Sequence, residues 1–123
     1  MTTTMDVGQK LVELCKQGKS HEAMETLYSP DIVAIEAGAP PGQSAETRGL
    51  AAVIGKSKWW QDNHDVHATV VDGPYPNGNR FAVKFSYDVT FKPASKRFTM
   101  NEIAVYTVEA GKITREEFFY TAE

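Results

Sequence analysis

The stretch RFTMNEIAVYTVEAGKITREEFFY, residues 97–120, predicts two long β-strands that fold back on each other at Glu109–Gly111. Alternate residues of a strand share one face, because successive side chains point to opposite sides. On the first strand one such face is mostly apolar, with Phe98, Met100, Ala104, Tyr106 and Val108. Glu102 lies in the middle of this row. The other face is also partly apolar, so the hairpin is predicted to lie in the middle of a sheet, with a carboxyl group on a covered face.

The strands before this hairpin follow the same period. Arg80–Phe91 has an apolar residue at every odd position and polar residues at most even positions, which predicts one core face and one polar face. Val66–Val71 also alternates, Gly73-Pro74 breaks that strand, and Asn77-Gly78 fits a hairpin turn. Four long antiparallel strands are therefore expected in the C-terminal half.

Helices are predicted in the N-terminal half from apolar residues at helical spacing. The first runs over Asp6–Gln17, with Asp6 as its N-cap. The expected elements that follow are a helix from Ser20 that ends by Pro30, a strand at Ile32–Ile35, a loop over Gly38–Gly49, and a third helix from Arg48-Gly49. This order indicates an α+β fold with the helices on one side of a curved sheet, formed by residues 1–123 as a single domain.

The composition excludes several classes of function. There are 13 basic and 16 acidic residues, and no Lys/Arg stripe, so nucleic acid is not expected as a partner. No apolar run reaches the roughly 20 residues that span a bilayer, and residues 1–8 lack the apolar centre of a signal peptide, so the expectation is a cytoplasmic protein without a membrane partner. Cys15 is the only cysteine and lies on the apolar stripe of the first helix, which predicts a buried, inert thiol.

Cofactor and metal motifs are also missing from the sequence. No glycine-rich phosphate or dinucleotide motif is present, so no cofactor is expected. The three histidines have none of the usual metal-helix spacings, although His64 and His67 flank a helix-to-strand boundary. Structural or solvent-exposed roles are favoured for both over a metal site.

Three segments together resemble the nuclear transport factor 2-like superfamily, in particular its SnoaL-like branch. They are YSPDIV at 28–33, GLAAVI at 49–54 and GKITREEFFY at 111–120. The resemblance covers nearly the whole chain. It implies a cone-shaped barrel in which a strongly bent antiparallel sheet wraps around three N-terminal-half helices, as in the cystatin-like roll, with an apolar pocket and dimerisation through the sheet. The superfamily contains isomerases, dehydratases, hydrolases, cyclases and non-catalytic binders, so it leaves the reaction open.

The resemblance to ketosteroid isomerases within this superfamily places two acids. Their general-base aspartate lies at the end of the first strand, where this chain has Glu36, and their protonated oxyanion donor falls within one residue of Glu102. Their oxyanion tyrosine on the first helix is replaced here by Leu11. That departure argues against steroid isomerase activity.

The residues themselves give a physical basis for these two candidates. A carboxyl on an apolar face loses water, so Glu102 is expected to have a raised pKa, whereas Glu36 at a strand end is more accessible to water. The alternatives are that Glu102 pairs with Lys84, Arg97 or Arg115, and that Glu36 is an exposed strand-end acid. The further candidates for lining the pocket are Tyr120, Asn101, Trp60, His67 and Glu116.

For two pairs of adjacent residues, the sequence does not decide which member faces inward. Glu116 and Glu117 point to opposite faces, and so do the adjacent Trp59 and Trp60. One member of each pair is expected to face inward.

Two functions fit these features. In the first, Glu36 abstracts a proton next to a carbonyl, and Glu102 with Tyr120 stabilises the enolate oxygen, as in a cofactor-independent isomerase, cyclase or dehydratase. In the second, the same pocket binds a small apolar ligand without turnover, or the protein is a dimeric accessory factor. For either function we predict a homodimer joined through the outer face of the sheet, where the polar even positions of Arg80–Lys92 face a partner sheet.

Overall fold

Three helices precede a long run of strands in the computed structural model, which describes residues 2–121. The elements are α1 (Thr4–Lys16), α2 (Ser20–Leu27), β1 (Tyr28–Ile35), β2 (Glu46–Arg48), α3 (Leu50–Asn63), β3 (His64–Asn77), β4 (Arg80–Phe91), a short 3-10 turn (Lys92–Ala94), β5 (Lys96–Glu109) and β6 (Lys112–Phe119). The strands form one six-stranded sheet in the order β2-β1-β6-β5-β4-β3.

The sheet is mixed. Strands β3 to β6 pair antiparallel in sequence order, as predicted, and β5 and β6 form the central hairpin. The first strand, β1, lies parallel to β6 and antiparallel to β2. The α+β fold class is confirmed. A tight hairpin can join only antiparallel strands. Because β1 and β6 are far apart in the sequence and no hairpin joins them, they can pair in parallel.

The helices cover one face of the sheet, which we call the inner face, and the opposite face is called the outer face. Helix α1 packs against β3 and β4. Its buried residues Val7 and Leu11 belong to one core cluster with Ile32, Phe81 and Tyr106 from the sheet. The core therefore lies between the helices and the inner face, as the amphipathic patterns predict.

Helix α1 begins with a capping box rather than with the predicted Asp6 cap. The Thr3 hydroxyl accepts a hydrogen bond from the Asp6 backbone N–H, and the Asp6 carboxylate accepts one from the Thr3 N–H, both at 3.0 Å. The capping role of Thr3 satisfies two backbone donors that have no partner within the helix. This arrangement also lowers the pKa of Asp6.

Strand boundaries differ from the sequence predictions in three places. Strand β1 begins at Tyr28, so Pro30 lies inside a strand, in a stretch where pairing with β6 is irregular. The expected loop Gly38–Gly49 contains the short strand β2. Strand β3 continues past Gly73-Pro74 to Asn77, because a register shift between Asp72 and Tyr75 absorbs the proline.

Candidate active site

The register of the strands brings the predicted acids to the inner face. Glu102 of β5 lies opposite Phe85 of β4, whose side chain is buried in the core. Glu116 of β6 lies between Tyr106 of β5 and Ala34 of β1, both also buried. Glu36 comes two residues after Ala34, at the end of the same strand, so it has the same facing. Residues from β1, β5 and β6 thus place three carboxyl groups on one side of the sheet.

Glu102 is a largely desolvated acid. Burial, and secondarily the negative charge of Glu36, raises the pKa of Glu102 from 4.5 to about 7. Within residues 2–121 its carboxyl oxygens have no hydrogen-bond or ion-pair partner. The alternative pairing with Lys84, Arg97 or Arg115 does not occur. Lys84 lies opposite Ile103 on the outer face, and the two arginines pair with Asp88 and Glu117. The carboxyl of Glu102 is therefore available to a ligand.

Both oxygens of Glu36 are occupied. Lys56 of α3 donates from Nζ to Glu36 Oε1 at 2.6 Å, and the Tyr120 hydroxyl donates to Glu36 Oε2 at 2.9 Å. The Glu36 side chain is 24% exposed, so the alternative of a fully exposed strand-end acid does not apply. The three groups come from β1, α3 and the end of β6, and they hold the carboxylate in a defined orientation.

Glu116 is the most deeply buried of the three acids, with 3% of its surface exposed. The Tyr28 hydroxyl donates a hydrogen bond to Glu116 Oε2. Burial raises the pKa of Glu116 to about 7, the Tyr28 hydrogen bond and Lys56 lower it, and the charges of Glu36 and Glu102 raise it. The mutual influence of these acids indicates that they share one electrostatic environment.

The structure shows which member of each adjacent pair faces inward. Glu117 points to the outer face and pairs with Arg115 at 2.9 Å, so Glu116 is the inward acid. Trp59 is 58% exposed, whereas Trp60 stacks on His64 with ring centroids 4.2 Å apart and lies 5.7 Å from Tyr87. Trp60 is therefore the tryptophan that faces the sheet.

Asn101 and His67, two of the predicted lining residues, are exposed and make their hydrogen bonds to other polar side chains rather than to the acids. Asn101 is exposed on the outer face and accepts a hydrogen bond from the Ser86 hydroxyl at 2.8 Å. His67 is exposed as well and hydrogen bonds to Thr90 Oγ1 at 2.7 Å. For Asn101 the strand period already requires this facing, because its neighbour Glu102 points inward.

Lys56, Tyr28 and His64 are the polar inward residues that the sequence interpretation missed. Lys56 and Tyr28 lie on elements remote in sequence from their carboxylate partners, so periodicity alone gives no signal for the contacts. His64 is 9% exposed, and its Nδ1 lies 2.7 Å from the Trp60 carbonyl oxygen, where it closes the last turn of α3. Within residues 2–121 no three metal-ligating side chains converge on one point.

Cys15 of α1 lies beside this cluster, and its thiol is unreactive. Burial, and to a smaller extent Glu116, raises the pKa of the Cys15 thiol to about 11. The thiol therefore stays protonated at neutral pH, in agreement with the inert role predicted from its apolar position.

An open depression of about 600 Å³ lies at the ends of β1 and β6. Glu36, Phe118 and Tyr120 are among its lining residues. The Glu36–Tyr120 hydrogen bond is thus reachable from this depression.

None of the helices within residues 2–121 combines the length and the apolar character that crossing a membrane would require.

The family of the chain follows from its match to a family model. Residues 1–120 match the SnoaL-like domain, and the protein belongs to the SnoaL-like family of the nuclear transport factor 2-like superfamily. No curated protein sequence matches the chain significantly.

Solved structures extend this assignment. A protein from Mesorhizobium loti, provisionally described as a SnoaL-like polyketide cyclase and also as a carbohydrate phosphatase, is 44% identical, with a TM-score of 0.91 over 97% of this chain and 100% of that chain. A protein of unknown function with a cystatin-like fold from Xanthomonas campestris has 17% identity and a TM-score of 0.78 over 98% of this chain and 92% of its own. A provisionally assigned isomerase from Bacillus subtilis has 15% identity and a TM-score of 0.78, covering 98% and 90%. The last two similarities concern the fold alone.

Proposed function

We propose that the protein binds a small, apolar, carbonyl-bearing molecule on its inner face and catalyses proton transfer with Glu36 and Glu102, without a cofactor. The observation that carries this proposal is the unpaired carboxyl of Glu102, desolvated on the inner face and with a pKa of about 7. A carboxyl with this pKa is about half protonated at neutral pH, and its protonated form donates a hydrogen bond to a developing oxyanion. The SnoaL-like polyketide cyclase description of the Mesorhizobium loti relative supports a carbonyl substrate.

The two acids have complementary roles in this reaction. Glu36, held by the Lys56 ammonium, acts as the carboxylate base that takes a proton from the carbon next to the carbonyl. Glu102 donates a hydrogen bond to the enolate oxygen that forms. The proton on Glu36 then moves to another carbon, which gives an isomerisation. Alternatively, the enolate carbon attacks a second carbonyl, and the alkoxide that forms takes the proton from Glu36, which gives a cyclisation.

A non-catalytic binder is the second candidate, and the occupied oxygens of Glu36 favour it. The Glu36 carboxylate accepts from Lys56 at 2.6 Å and from Tyr120 at 2.9 Å, so each oxygen already has one hydrogen-bond donor from the protein, and only its second lone pair is available to a ligand proton. In the binder Glu36 and Tyr120 recognise a ligand, and no proton moves.

Deuterium incorporation into a simple ketone separates the two functions. We expect the wild-type protein to accelerate exchange at the activated CH2 of 2-tetralone in D2O, followed by mass spectrometry. Glu36→Gln should lower the acceleration by about a hundredfold or more, because the base is lost. Glu109→Gln, in the exposed β5–β6 turn, is the matched control and should leave the rate unchanged.

The pH profile gives the role of Glu102. The exchange rate is expected to fall as pH rises through about 7, because the donor form of Glu102 is lost, and this decline should be absent in Glu102→Gln. Binding of the ketone without any acceleration of exchange would favour the binder and contradict catalysis.

A further inference from the structure

Lys56 is a cation that contacts the acidic cluster on the inner face. It lies on α3, and its ammonium donates to Glu36 Oε1 at 2.6 Å, while the lysine side chain stays 40% exposed. Its influence reaches past Glu36, because its positive charge also lowers the pKa of the buried Glu116. The ammonium therefore points into the cluster, whereas Lys58 on the same helix is exposed.

The charge that Lys56 neutralises moves during the proposed reaction. When Glu36 takes a proton from the carbon next to the carbonyl, the electrons of the broken C–H bond form a C=C bond, and the carbonyl π electrons become a lone pair on oxygen. Glu36 is then neutral, and the negative charge lies on the enolate oxygen. Lys56 takes no part in this proton transfer, so its nearest negatively charged acceptor changes from Glu36 to the ligand.

We propose that Lys56 contacts the ligand oxygen after this transfer and stabilises the enolate together with Glu102; this inference rests on the proposed function. The lysine side chain is long, flexible and only partly buried, so its ammonium is free to rotate toward the new charge. Tyr120 keeps the second oxygen of Glu36 in place during this movement. Lys56 thus becomes a ligand-contacting residue of the site.

This role restricts the ligand class. The oxygen that accepts from Lys56 has to lie beside the carbon that gives its proton to Glu36, since both Glu36 and Lys56 act within one hydrogen-bond distance of each other. A ketone or diketone that enolises meets this condition, because its oxygen is two bonds from the acidic carbon. A ligand whose only acceptor oxygen is remote from the acidic carbon does not.

Binding of a stable enolate tests the inference. Dimedone, a cyclic diketone that is largely an enolate at neutral pH, is titrated calorimetrically into the wild-type protein and into Glu36→Gln. The neutral amide of the variant copies the protonated base and releases Lys56, so Glu36→Gln should bind the enolate about tenfold more tightly than the wild type.

Double variants show which residue causes the tighter binding of the enolate. Adding Lys56→Met to Glu36→Gln should abolish the gain, adding Lys56→Arg should keep most of it, and adding the matched control Lys58→Met should leave it unchanged. Thermal unfolding verifies that each variant is folded. Should the Lys56→Met double variant not fold, the Lys56→Arg and Lys56→Gln pair replaces it, with the same expected contrast.

Each result separates the two proposals. A gain that persists without the Lys56 charge arises from removal of Glu36 repulsion alone, and it would overturn the role of Lys56 while leaving the proposed function in place. If no variant binds the enolate, the inner face does not hold this class of ligand, and both proposals fail.

Discussion

A carboxyl group that leaves water keeps its proton to higher pH, and Glu102 is such a group. Its pKa of about 7 exceeds the ordinary value of 4.5, so the folded protein binds a proton over a pH range in which the unfolded chain has released it. The contribution of Glu102 to the free energy of unfolding is therefore highest below pH 4.5, and it falls as pH rises from 4.5 to about 7. Folding stability is thus reduced by the same burial that makes Glu102 a hydrogen-bond donor.

Glu102→Gln should remove this pH dependence. The shift corresponds to roughly 2 kcal/mol once the partial exposure of the side chain is taken into account. We expect the stability difference, variant minus wild type, to increase by about that amount between pH 5 and pH 8, measured by urea denaturation. Glu109→Gln, which changes an exposed acid, should show no such trend. A constant difference across this range would contradict the desolvation of Glu102.

The residue scale also shows where periodicity is a sufficient guide. The alternation of β5 correctly placed Glu102 on the inner face, because the pairing of β5 with β4 is regular along its length. Alternation in β6 did not show which of Glu116 and Glu117 faces inward, because the pairing of β5 with β6 shifts register between Thr107 and Val108. Ile113 and Glu116 are consequently both buried although they are three residues apart. Such a shift depends on neighbouring strands and leaves no signal in the sequence of β6.

At the scale of elements, α1 approaches the sheet closely enough to require a glycine. A Cβ built on Gly8 would lie 3.0 Å from Pro74 Cβ and 3.2 Å from Phe81 Cγ. Pro74 belongs to the irregular part of β3, so the close approach depends on how the strand accommodates its proline. The sequence predicted the helix and the strand, but this contact has no counterpart in either local pattern.

A pair of glycine substitutions tests the packing of α1. Gly→Ala in a helix interior normally stabilises by roughly 0.5–1 kcal/mol, and Gly55 of α3 has open space around its Cβ position, so Gly55→Ala should gain about that much. Gly8→Ala should instead lose about 1–3 kcal/mol through overpacking. Urea denaturation of both variants gives the comparison. A stabilising Gly8→Ala would mean that α1 lies farther from β3 than described.

For the whole molecule, the order of the elements was sufficient to give the α+β class, because helix and strand periods differ clearly along the chain. The parallel pairing of β1 with β6 and the short edge strand β2 were not evident from the sequence. Both depend on which strand edges remain free once the antiparallel hairpins have formed. Local patterns contain little of that information.

The outer face of the sheet has the features of a contact surface. Val70, Ile103 and Phe119 are exposed there by 62%, 37% and 55%. Ile103 and Phe119 are neighbours across β5 and β6, and Lys84 and Asp72 continue the same row toward β3. Exposed apolar side chains with charged neighbours are typical of interfaces between protein chains. We therefore propose that two copies of the chain pair through this face.

The dimer is tested by light scattering coupled to size-exclusion chromatography. We expect a mass of about twice 13.6 kDa for the wild-type protein at micromolar concentration. Ile103→Lys should shift the protein to monomer, because it introduces an unpaired charge into the centre of the contact. Trp59→Lys, on the helix α3 and also exposed, is the matched control and should leave the dimer intact. A wild-type protein that is monomeric, or a dimer lost in Trp59→Lys and kept in Ile103→Lys, would show that the outer face is not the interface. In that second case the exposed side of α3 would be the contact surface.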